Sequence, residues 1–239
     1  MLRAALWTDP IIVLDTVVFG TLSMLASLFD KTGRLQHRIA RVWARVLVKA
    51  AGMRVEVDGL HHLDPGRSYV IACNHLSLLD IPVIAAHIPL EFRFFAKKSL
   101  FRIPFLGGHL RRAGHFPVVR DDPRQGLKLL SDAARQIRGR GVSVLIFPEG
   151  GRTQGELGEF KDGAAYVAIK AGVPLAPMGI AGTRACLPMG SLAVRPGPVR
   201  LRVGEPIETE GMRLQEHGAL TLRLRQRVGE LSGQALTLE

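Results

Sequence analysis

The sequence predicts an α/β protein, in which one domain has a central, mostly parallel or mixed sheet flanked by helices and follows an N-terminal helical membrane anchor. Short β-branched runs alternate with segments of helical spacing along the 239 residues, which is typical of a sheet covered by helices. An apolar stretch near the N-terminus precedes a basic amphipathic segment. The length suits one domain with a sizeable core plus an anchor. We therefore divide the chain into an anchor, residues 1–50, and a domain, residues 51–239.

The apolar stretch from Ile11 to Phe29 has nineteen residues and one charge, Asp15. Its length is close to the ~20 residues that span a bilayer. A carboxylate at the centre of a spanning helix costs roughly 2.5–3.5 kcal/mol, and less near an end, where Asp15 lies. The alternatives are a signal peptide and a buried helix of a soluble domain. A single basic residue, Arg3, and the lack of a clear small-x-small cleavage site argue against the signal peptide.

The next segment, Lys31 to Lys49, is basic and amphipathic. On a helix its basic residues fall on one face and its apolar residues on another. The basic set is Lys31, Arg34, Arg38, Arg41, Arg45 and Lys49, and the apolar set is Leu35, Ile39, Val42 and Val46. This pattern is typical of an interfacial anchor for anionic lipid, although a solvated helix face against the domain is also compatible with it. We expect both helices to dip into, or span, the cytoplasmic leaflet.

The rest of the chain alternates predicted strands with predicted helices and shows no internal repeat, linker or low-complexity tract. The predicted strands are 53–58, 68–73, 92–96, 142–146 and 199–203, and the predicted helices are 77–86, 127–137, 164–171 and 219–231.

The net charge of +11 indicates an acidic partner. Anionic lipid headgroups and the phosphates of coenzyme A both qualify. Nucleic acid is not expected, because aromatic residues make up only 6% of the chain and no nucleic-acid-binding motif is recognisable. Cys73 and Cys186 lie far apart without a Cys-x-x-Cys pair, which argues against a disulfide framework or a zinc site, and no metal is predicted.

An asparagine–histidine pair, Asn74 and His75, ends the predicted strand 68–73, and Asp80 follows five residues after the histidine. A histidine with a nearby carboxylate draws a proton from an alcohol, while the carboxylate fixes its tautomer. Asp80 meets His75 only if His75 precedes the regular helix, because positions five apart lie on different faces. The alternative is structural, with Asn74 as a helix N-cap and Asp80 as a solvated charge. No Gly-x-Ser-x-Gly elbow is present, which favours direct attack by a substrate hydroxyl over a covalent acyl-enzyme.

A second group of polar residues, 147–153, directly follows the predicted strand 142–146. Ligands of open α/β sheets bind at the carboxyl edge, where such residues lie. Gly150 and Gly151 let backbone N–H groups approach an anion, and the planar guanidinium of Arg152 matches phosphate oxygens. The alternative is an ordinary turn with a Glu149–Arg152 charge pair.

Two further segments have alternative interpretations. Residues 114–120 form a short predicted strand that ends at Arg120, either a second phosphate ligand or a strand-end charge. Residues 172–180 are apolar and contain Pro174 and Pro177. Such a segment is by default a core or edge strand, and its functional interpretation is a wall of an acyl or thioester site.

Taken together, four blocks in order resemble the glycerolipid acyltransferase superfamily, and most closely the 1-acylglycerol-3-phosphate acyltransferases, which make phosphatidic acid. The blocks are Asn74-His75-x4-Asp80, Gly114-x-Phe116-Pro117-x-x-Arg120, Phe147-Pro148-Glu149-Gly150-x-Arg152-Thr153 and Val173-Pro174-Leu175-Ala176-Pro177. The resemblance implies that His75 is the general base and Asp80 its orienting partner, in a catalytic domain at 51–239. The acceptor-binding residues that it implies are Arg120, Glu149, Gly150, Arg152 and Thr153.

The resemblance also implies that the arginines bind the acceptor's phosphate and that Pro177 belongs to the wall of the acyl-donor site. Asn74 and Gly151 are supporting residues. Gly151 departs from the family pattern, which usually has Thr or Ser there, and we expect this to change a detail of acceptor binding. Family members that lack the arginine matching Arg152 tend to use acceptors other than a phosphate monoester.

The reaction implied by the resemblance moves a fatty acyl group from an acyl-coenzyme A or acyl carrier protein thioester to the sn-2 hydroxyl of 1-acylglycerol 3-phosphate (lysophosphatidic acid). No metal or redox cofactor is required. The expected location is the cytoplasmic face of a membrane, the inner membrane in a bacterium. Two alternatives stay open: another lysolipid acceptor, such as a lyso-ornithine lipid or a lysophospholipid, and a non-catalytic basic protein that binds membranes or nucleic acid.

Overall fold

The computed structural model describes residues 9–118, 123–191 and 193–236. The helices in these ranges are α1 Asp9–Ala26, α2 Arg34–Ala50, α3 Asp80–His87, α4 Leu106–Arg112, α5 Pro123–Arg140, α6 Gly163–Ala171, α7 Thr183–Cys186 and α8 His217–Ser232. The strands are β1 Met53–Asp58, β2 Val70–Cys73, β3 Phe92–Lys97, β4 Phe116–Val118, β5 Ser143–Ile146, β6 Leu175–Ala181 and β7 Gly197–Val203. Short 3-10 turns span Leu60–His62, Lys98–Arg102 and Leu214–Glu216.

The strands form one seven-stranded sheet in the order β1-β7-β6-β2-β5-β3-β4. Neighbouring strands are parallel except β6 and β7, which are antiparallel. Five strands therefore run in one direction, and their carboxyl ends meet at one edge of the sheet, where ligands of α/β proteins bind. The predicted α/β class with a mostly parallel, mixed sheet is confirmed.

Two helical layers cover the sheet, because successive side chains of a buried strand point to opposite faces. Ile71 and Leu145 point into a core with α2 and α3. Their neighbours Val70 and Val144 point into a second core with α5, α6 and α8. Both strands are fully buried, which explains why they are almost continuously apolar.

Pro177 lies inside β6, a central strand, where proline is normally excluded because it cannot donate to the ladder. The Leu175 N–H donates to the Ile207 carbonyl, and since N–H groups alternate in direction, the nitrogen of Pro177 faces the same side. Pro177 falls between the Leu175–Ile207 bridge and the Met178–Val203 pair, where the ladder with β7 is interrupted. The missing N–H therefore costs no strand hydrogen bond.

Helix α1 buries two of its polar side chains and exposes most of its apolar ones. Asp15 and Ser23 are buried against the domain, whereas Val13, Leu14 and Leu25 are 62%, 63% and 53% exposed. In the described part of the chain, α1 alone is long and apolar enough to cross a membrane. A core helix of a soluble domain has the opposite orientation.

Two residues of the predicted basic face of α2 contact the domain. The guanidinium groups of Arg41 and Arg45 donate to backbone carbonyls at the end of α3, Arg41 to those of Ile88 and Leu90 at 3.0 and 2.8 Å and Arg45 to that of Ala86 at 3.2 Å. Cations favour this position because the last carbonyls of a helix have no partners of their own. The core contacts of α2 come from Ala44, Leu47 and Val48. The apolar face identified from the sequence is instead largely exposed, with Leu35, Val42 and Val46 at 37%, 46% and 40%.

Histidines join the first two helices to the domain. His109 of α4 shares a 2.7 Å hydrogen bond with Ser23 of α1, and His37 of α2 bonds the Leu90 carbonyl at 3.2 Å. Desolvation, with Arg93 nearby, lowers the pKa of His109 to about 4. Desolvation, with Arg41 and Arg93 nearby, lowers the pKa of His37 to about 3. Both rings are therefore neutral in the folded protein at pH 7.

These lowered pKa values predict acid sensitivity. Below the unfolded pKa of about 6.5, the unfolded chain takes up protons that the folded chain refuses, so stability is lost as pH falls toward the folded pKa. We expect His109→Gln, which keeps an acceptor for Ser23, to lose about 2 kcal/mol less unfolding free energy than wild type between about pH 7.5 and about pH 5. Urea unfolding at both pH values measures this difference. Equal losses in the two proteins would contradict the assignment.

Candidate active site

His75 and Asp80 lie at the carboxyl edge of the sheet, in the loop between β2 and α3. Nδ1 of His75 lies 2.7 Å from Oδ2 of Asp80, whose side chain is fully buried, while the imidazole is 17% exposed. A carboxylate accepts hydrogen bonds, so Nδ1 carries the hydrogen and Nε2 is the basic nitrogen of the neutral ring. Nε2 has no hydrogen-bond partner among the described residues, and the ring stacks on Phe147 at 4.0 Å between centroids. Nε2 is therefore the nitrogen that remains to accept a proton from a substrate.

The loop folds around the Asp80 carboxylate. Asp80 is the first residue of α3, and its Oδ2 also accepts the backbone N–H groups of Leu76 and Ser77 at 2.7 and 2.8 Å. His75 thus precedes the regular helix, which is the condition that the five-residue spacing imposes on contact between the two side chains. The structural alternative is wrong at both residues that defined it, since Asp80 is not solvated and Leu79, not Asn74, is the N-cap of α3.

Asn74 fixes the loop to the neighbouring strand. Its amide donates to the Ile180 carbonyl at 2.9 Å and accepts the Ile180 N–H at 2.8 Å, as a residue of an extended strand would. The same amide nitrogen contacts Oε1 of Gln234 at 2.6 Å. Asn74 is fully buried, so its contacts are those of a supporting residue rather than of a substrate ligand.

Thr183 is a part of the site that the sequence did not indicate. Its hydroxyl donates to Oδ1 of Asp80 at 2.6 Å, and both side chains are fully buried. Thr183 follows Gly182, which lies between β6 and α7 with φ 91° and whose Cβ position would collide with the Pro198 carbonyl. With this bond, each oxygen of the carboxylate is held, so Asp80 cannot rotate away from His75.

We expect Thr183→Val to lower the kcat of the expected acyl transfer about tenfold. The KM values for the lipid acceptor and for the acyl thioester should change little, because a loosened carboxylate misorients the imidazole without touching a substrate. Thr183→Ser, which keeps the hydroxyl, should restore most of the rate. Steady-state kinetics of the three proteins measure this. A similar loss in Thr183→Ser and Thr183→Val, or a matching rise in KM, would indicate a general packing role instead.

Glu149 joins the two loops of the site. Its Oε1 accepts the His75 N–H at 2.7 Å and its Oε2 accepts the Gly158 N–H at 3.2 Å. The Thr153 N–H in turn donates to the His75 carbonyl at 2.9 Å. These bonds hold the β5 loop against the β2 loop. Acceptor binding by Glu149 stays a prediction, since both of its oxygens have backbone donors.

The β5 loop places cations near this junction. Gly150 has φ 70°, a conformation that favours glycine, and its N–H closes a turn on the Phe147 carbonyl at 3.0 Å. The ammonium group of Lys161, which is not among the candidates predicted from the sequence, lies 3.2 Å from the position of a Cβ on Gly150. Arg152 is partly exposed and forms no ion pair with any described residue, so the Glu149–Arg152 pair of the turn alternative is not formed. Arg120 lies outside the described residues.

The remaining candidates differ in access. Thr153 has a buried hydroxyl without a hydrogen-bond partner, and Gly151 is partly exposed in the same loop. Pro177 is buried in β6, so its membership of a donor site stays a prediction. Beside the His75 loop is an open cleft of about 470 Å³, lined in part by Leu76, Gly182 and Arg184. The described residues contain no group of three or more His, Cys, Asp or Glu side chains that could hold a metal ion.

The hydroxyl and thiol groups closest in sequence to His75 are engaged elsewhere. Ser77 is buried and donates to the Leu187 carbonyl at 2.9 Å. Cys73 is buried, and desolvation raises the pKa of its thiol well above the usual value. Neither side chain is a ready nucleophile. The fold and these contacts define an α/β protein that presents a carboxylate-held histidine, rather than a nucleophile, at the carboxyl edge of its sheet, with an unpaired arginine on the next strand's loop.

The comparisons with known proteins identify the family. A family model described as acyltransferase matches residues 54–181, more than half of the chain. The chain belongs to this acyltransferase family, as the four blocks predicted. It is also similar to a crystal structure of the 1-acyl-sn-glycerophosphate (LPA) acyltransferase PlsC from Thermotoga maritima, with a TM-score of 0.80, 25% identity, and coverage of 96% of this chain and 93% of that chain.

Among its relatives are 1-acyl-sn-glycerol-3-phosphate acyltransferases of plants and algae. The chloroplastic protein of Brassica napus is 34% identical over 184 residues, which are 75% of this chain and 53% of the relative. The protein of Chlamydomonas reinhardtii is 35% identical over 209 residues, which are 84% of this chain and 62% of the relative. The chain thus spans from about half to less than two thirds of the length of these relatives.

Proposed function

We propose that the chain transfers a fatty acyl group from an acyl thioester to the sn-2 hydroxyl of 1-acylglycerol 3-phosphate, giving phosphatidic acid. The hydroxyl oxygen forms a bond to the thioester carbonyl carbon while Nε2 of His75 takes the hydroxyl proton. The carbon–sulfur bond then breaks, and the thiolate leaves with the proton returned by the imidazolium. A well-placed base contributes roughly 10²- to 10⁴-fold in rate, and positioning of the two substrates contributes several kcal/mol more.

The observation that carries this proposal is the free Nε2 of a histidine whose Nδ1 lies 2.7 Å from a buried carboxylate. A neutral imidazole held in this tautomer accepts a proton from a substrate hydroxyl and becomes a cation that the carboxylate stabilises. Since Ser77 and Cys73 are engaged elsewhere, the acceptor hydroxyl itself supplies the attacking oxygen. The Gly151 N–H is the donor that remains for the oxyanion, because the N–H groups of His75, Leu76, Ser77 and Gly150 have acceptors within the two loops.

The acceptor's phosphate would bind Arg152, a planar cation without a carboxylate partner among the described residues, with Lys161 nearby and Arg120 as a further ligand. The acyl donor would approach through the cleft beside Leu76. Arg184 lines this cleft and has no ion-pair partner among the described residues, so it is suited to a phosphate of coenzyme A or of a carrier-protein pantetheine arm. No metal or redox cofactor takes part in this scheme.

Acylation of a lipid acceptor requires the active site to lie at a bilayer surface. The outward apolar face of α1 and the exposed apolar residues of α2 support residues 1–50 as the anchor. Residues 51–239 would then form the catalytic domain, held at the cytoplasmic face of the membrane. Asp15 does not oppose this placement, since it is 7% exposed and on the side of α1 that faces the domain.

The experiment that tests the function offers two acceptors in parallel to the detergent-solubilised protein. Lysophosphatidic acid and a lyso-ornithine lipid are each supplied with acyl-coenzyme A and with acyl carrier protein thioesters. We expect phosphatidic acid to form and the ornithine lipid to stay unacylated. Acylation of the ornithine lipid alone would overturn the acceptor, and no transfer with either acceptor or donor would overturn the enzyme.

A further inference from the structure

The surface between β3 and the end of α4 is basic and has no acid of its own. The sequence contains no Asp or Glu between Glu91 and Asp121. The exposed basic residues of this stretch are Lys97, Lys98, Arg102, Arg111 and Arg112. None of them forms an ion pair with a described residue. A cluster of like charges without counter-charges destabilises the isolated domain, so it is suited to an anionic partner.

Two apolar side chains stand among these cations. Ile103 is 45% exposed and Phe105 is 38% exposed. Phe105 is the only described non-glycine residue with positive φ, 61°, and the Leu106 N–H closes a γ-turn on the Pro104 carbonyl at 2.6 Å. This turn is strained for a bulky residue, and such outliers are concentrated at functional sites. Lys97, Lys98, Arg102, Arg112, Ile103 and Phe105 are together called the 97–112 patch.

The patch adjoins helix α1. A Cβ at Gly20 of α1 would lie 2.9 Å from the Cβ of Phe105, so the two backbones are in close contact there. Helix α1 packs against α2 and α4. Gly20 of α1, Trp43 of α2 and Leu106 of α4 together line a small cavity. The 97–112 patch and α2 therefore both adjoin α1. Lys97 also ends β3, at the sheet edge that holds His75.

We propose that the 97–112 patch is a second contact with the membrane, distinct from the anchor helices, and that it recognises the surface of a bilayer containing anionic phospholipid. Ile103 and Phe105 enter the headgroup region while the lysines and arginines contact lipid phosphates. A second contact beside α1 limits rotation of the domain about that helix and keeps the carboxyl edge of the sheet toward the lipid. This inference rests on the proposed membrane location. An acidic carrier protein is the competing partner, and the close approach of Phe105 to α1, a helix with an exposed apolar face, favours lipid.

The test measures partition of the full chain, without substrates, onto phosphatidylcholine vesicles with and without phosphatidylglycerol. A basic residue near an anionic surface contributes ~1 kcal/mol. We therefore expect the triple variant Lys97→Gln, Lys98→Gln, Arg102→Gln to bind anionic vesicles at least tenfold more weakly and neutral vesicles unchanged. The matched control, Arg124→Gln, Lys128→Gln, Arg223→Gln, removes the same charge from exposed residues of α5 and α8, on the opposite face of the sheet. It should bind as wild type does.

The apolar part of the patch has its own variant. Phe105→Gly tolerates the positive φ and keeps the turn, and combined with Ile103→Ser it should weaken binding to both kinds of vesicle. Leu222→Ser, at a 69% exposed position of α8, is the control and should have no effect.

Equal weakening by the two charge triples, or no weakening by the patch triple, would overturn the proposal. A patch triple that binds vesicles normally but has a raised KM for a carrier-protein thioester would assign the patch to that protein instead. Because partition needs no substrate, absence of acyl transfer together with the expected partition would overturn the proposed function alone.

Discussion

His75→Ala is expected to lower kcat for acyl transfer by roughly 10²- to 10⁴-fold, which is the usual contribution of a positioned general base. The imidazole contacts Asp80 and stacks on Phe147 without filling the core, so its removal should leave the fold intact. The KM values for acceptor and thioester should change little, since neither binds mainly through this ring. Steady-state rates on lysophosphatidic acid, with circular dichroism to check the fold, measure the effect.

A matched control is available at the far end of α3. His87 ends α3, and its Nδ1 contacts only the Val83 carbonyl of its own helix at 2.9 Å. His87→Ala should therefore turn over as wild type does. A His75→Ala protein with near-normal kcat would remove His75 from the mechanism, whatever the control shows.

Arg152→Ala is expected to raise the acceptor KM by roughly 10- to 150-fold, because a hydrogen bond to a charged group contributes about 1.5–3 kcal/mol. The thioester KM should change far less. Arg152→Lys should recover only part of the affinity, since an ammonium group keeps the charge but loses the planar fork. Initial rates with each substrate varied in turn separate the two KM values.

Arg184→Ala is the paired variant for this experiment. Arg184 lines the cleft assigned to the donor, so its loss should raise the thioester KM and leave the acceptor KM nearly unchanged. An equal rise of the acceptor KM and the thioester KM in Arg152→Ala would place the phosphate site elsewhere. So would a rise of the thioester KM in Arg152→Ala together with a rise of the acceptor KM in Arg184→Ala.

The sequence predicted the parts of the molecule that depend on local pattern. The β-branched runs of β2 and β5 are strands because they are buried on both faces. The contact between His75 and Asp80 followed from their spacing at a strand–turn–helix boundary, since helical geometry otherwise keeps these positions apart. The order of four short blocks indicated the family, and the family model matches over residues 54–181.

Features that depend on neighbours from other parts of the chain were not predictable. Thr183 is 103 positions from Asp80 and reaches it only because β6 lies beside β2. A central strand tolerates Pro177 because the hydrogen-bond ladder with β7 is interrupted opposite the proline nitrogen. No local sequence pattern indicates this interruption. The Asp15 carboxylate counted against insertion of α1 in the sequence, whereas in the structure it lies on the inner face of that helix.

The central claim is that the acyl group passes directly from thioester to lipid hydroxyl with His75 as base. A rapid-quench single turnover tests it most directly, with labelled acyl-coenzyme A, or labelled acyl carrier protein if that is the active donor, mixed first with enzyme alone and then with lysophosphatidic acid. We predict an unlabelled protein throughout and phosphatidic acid that forms in one phase, only after the acceptor is added, and far more slowly in His75→Ala. Label on the protein before the acceptor arrives, and its passage from there into phosphatidic acid, would contradict the account.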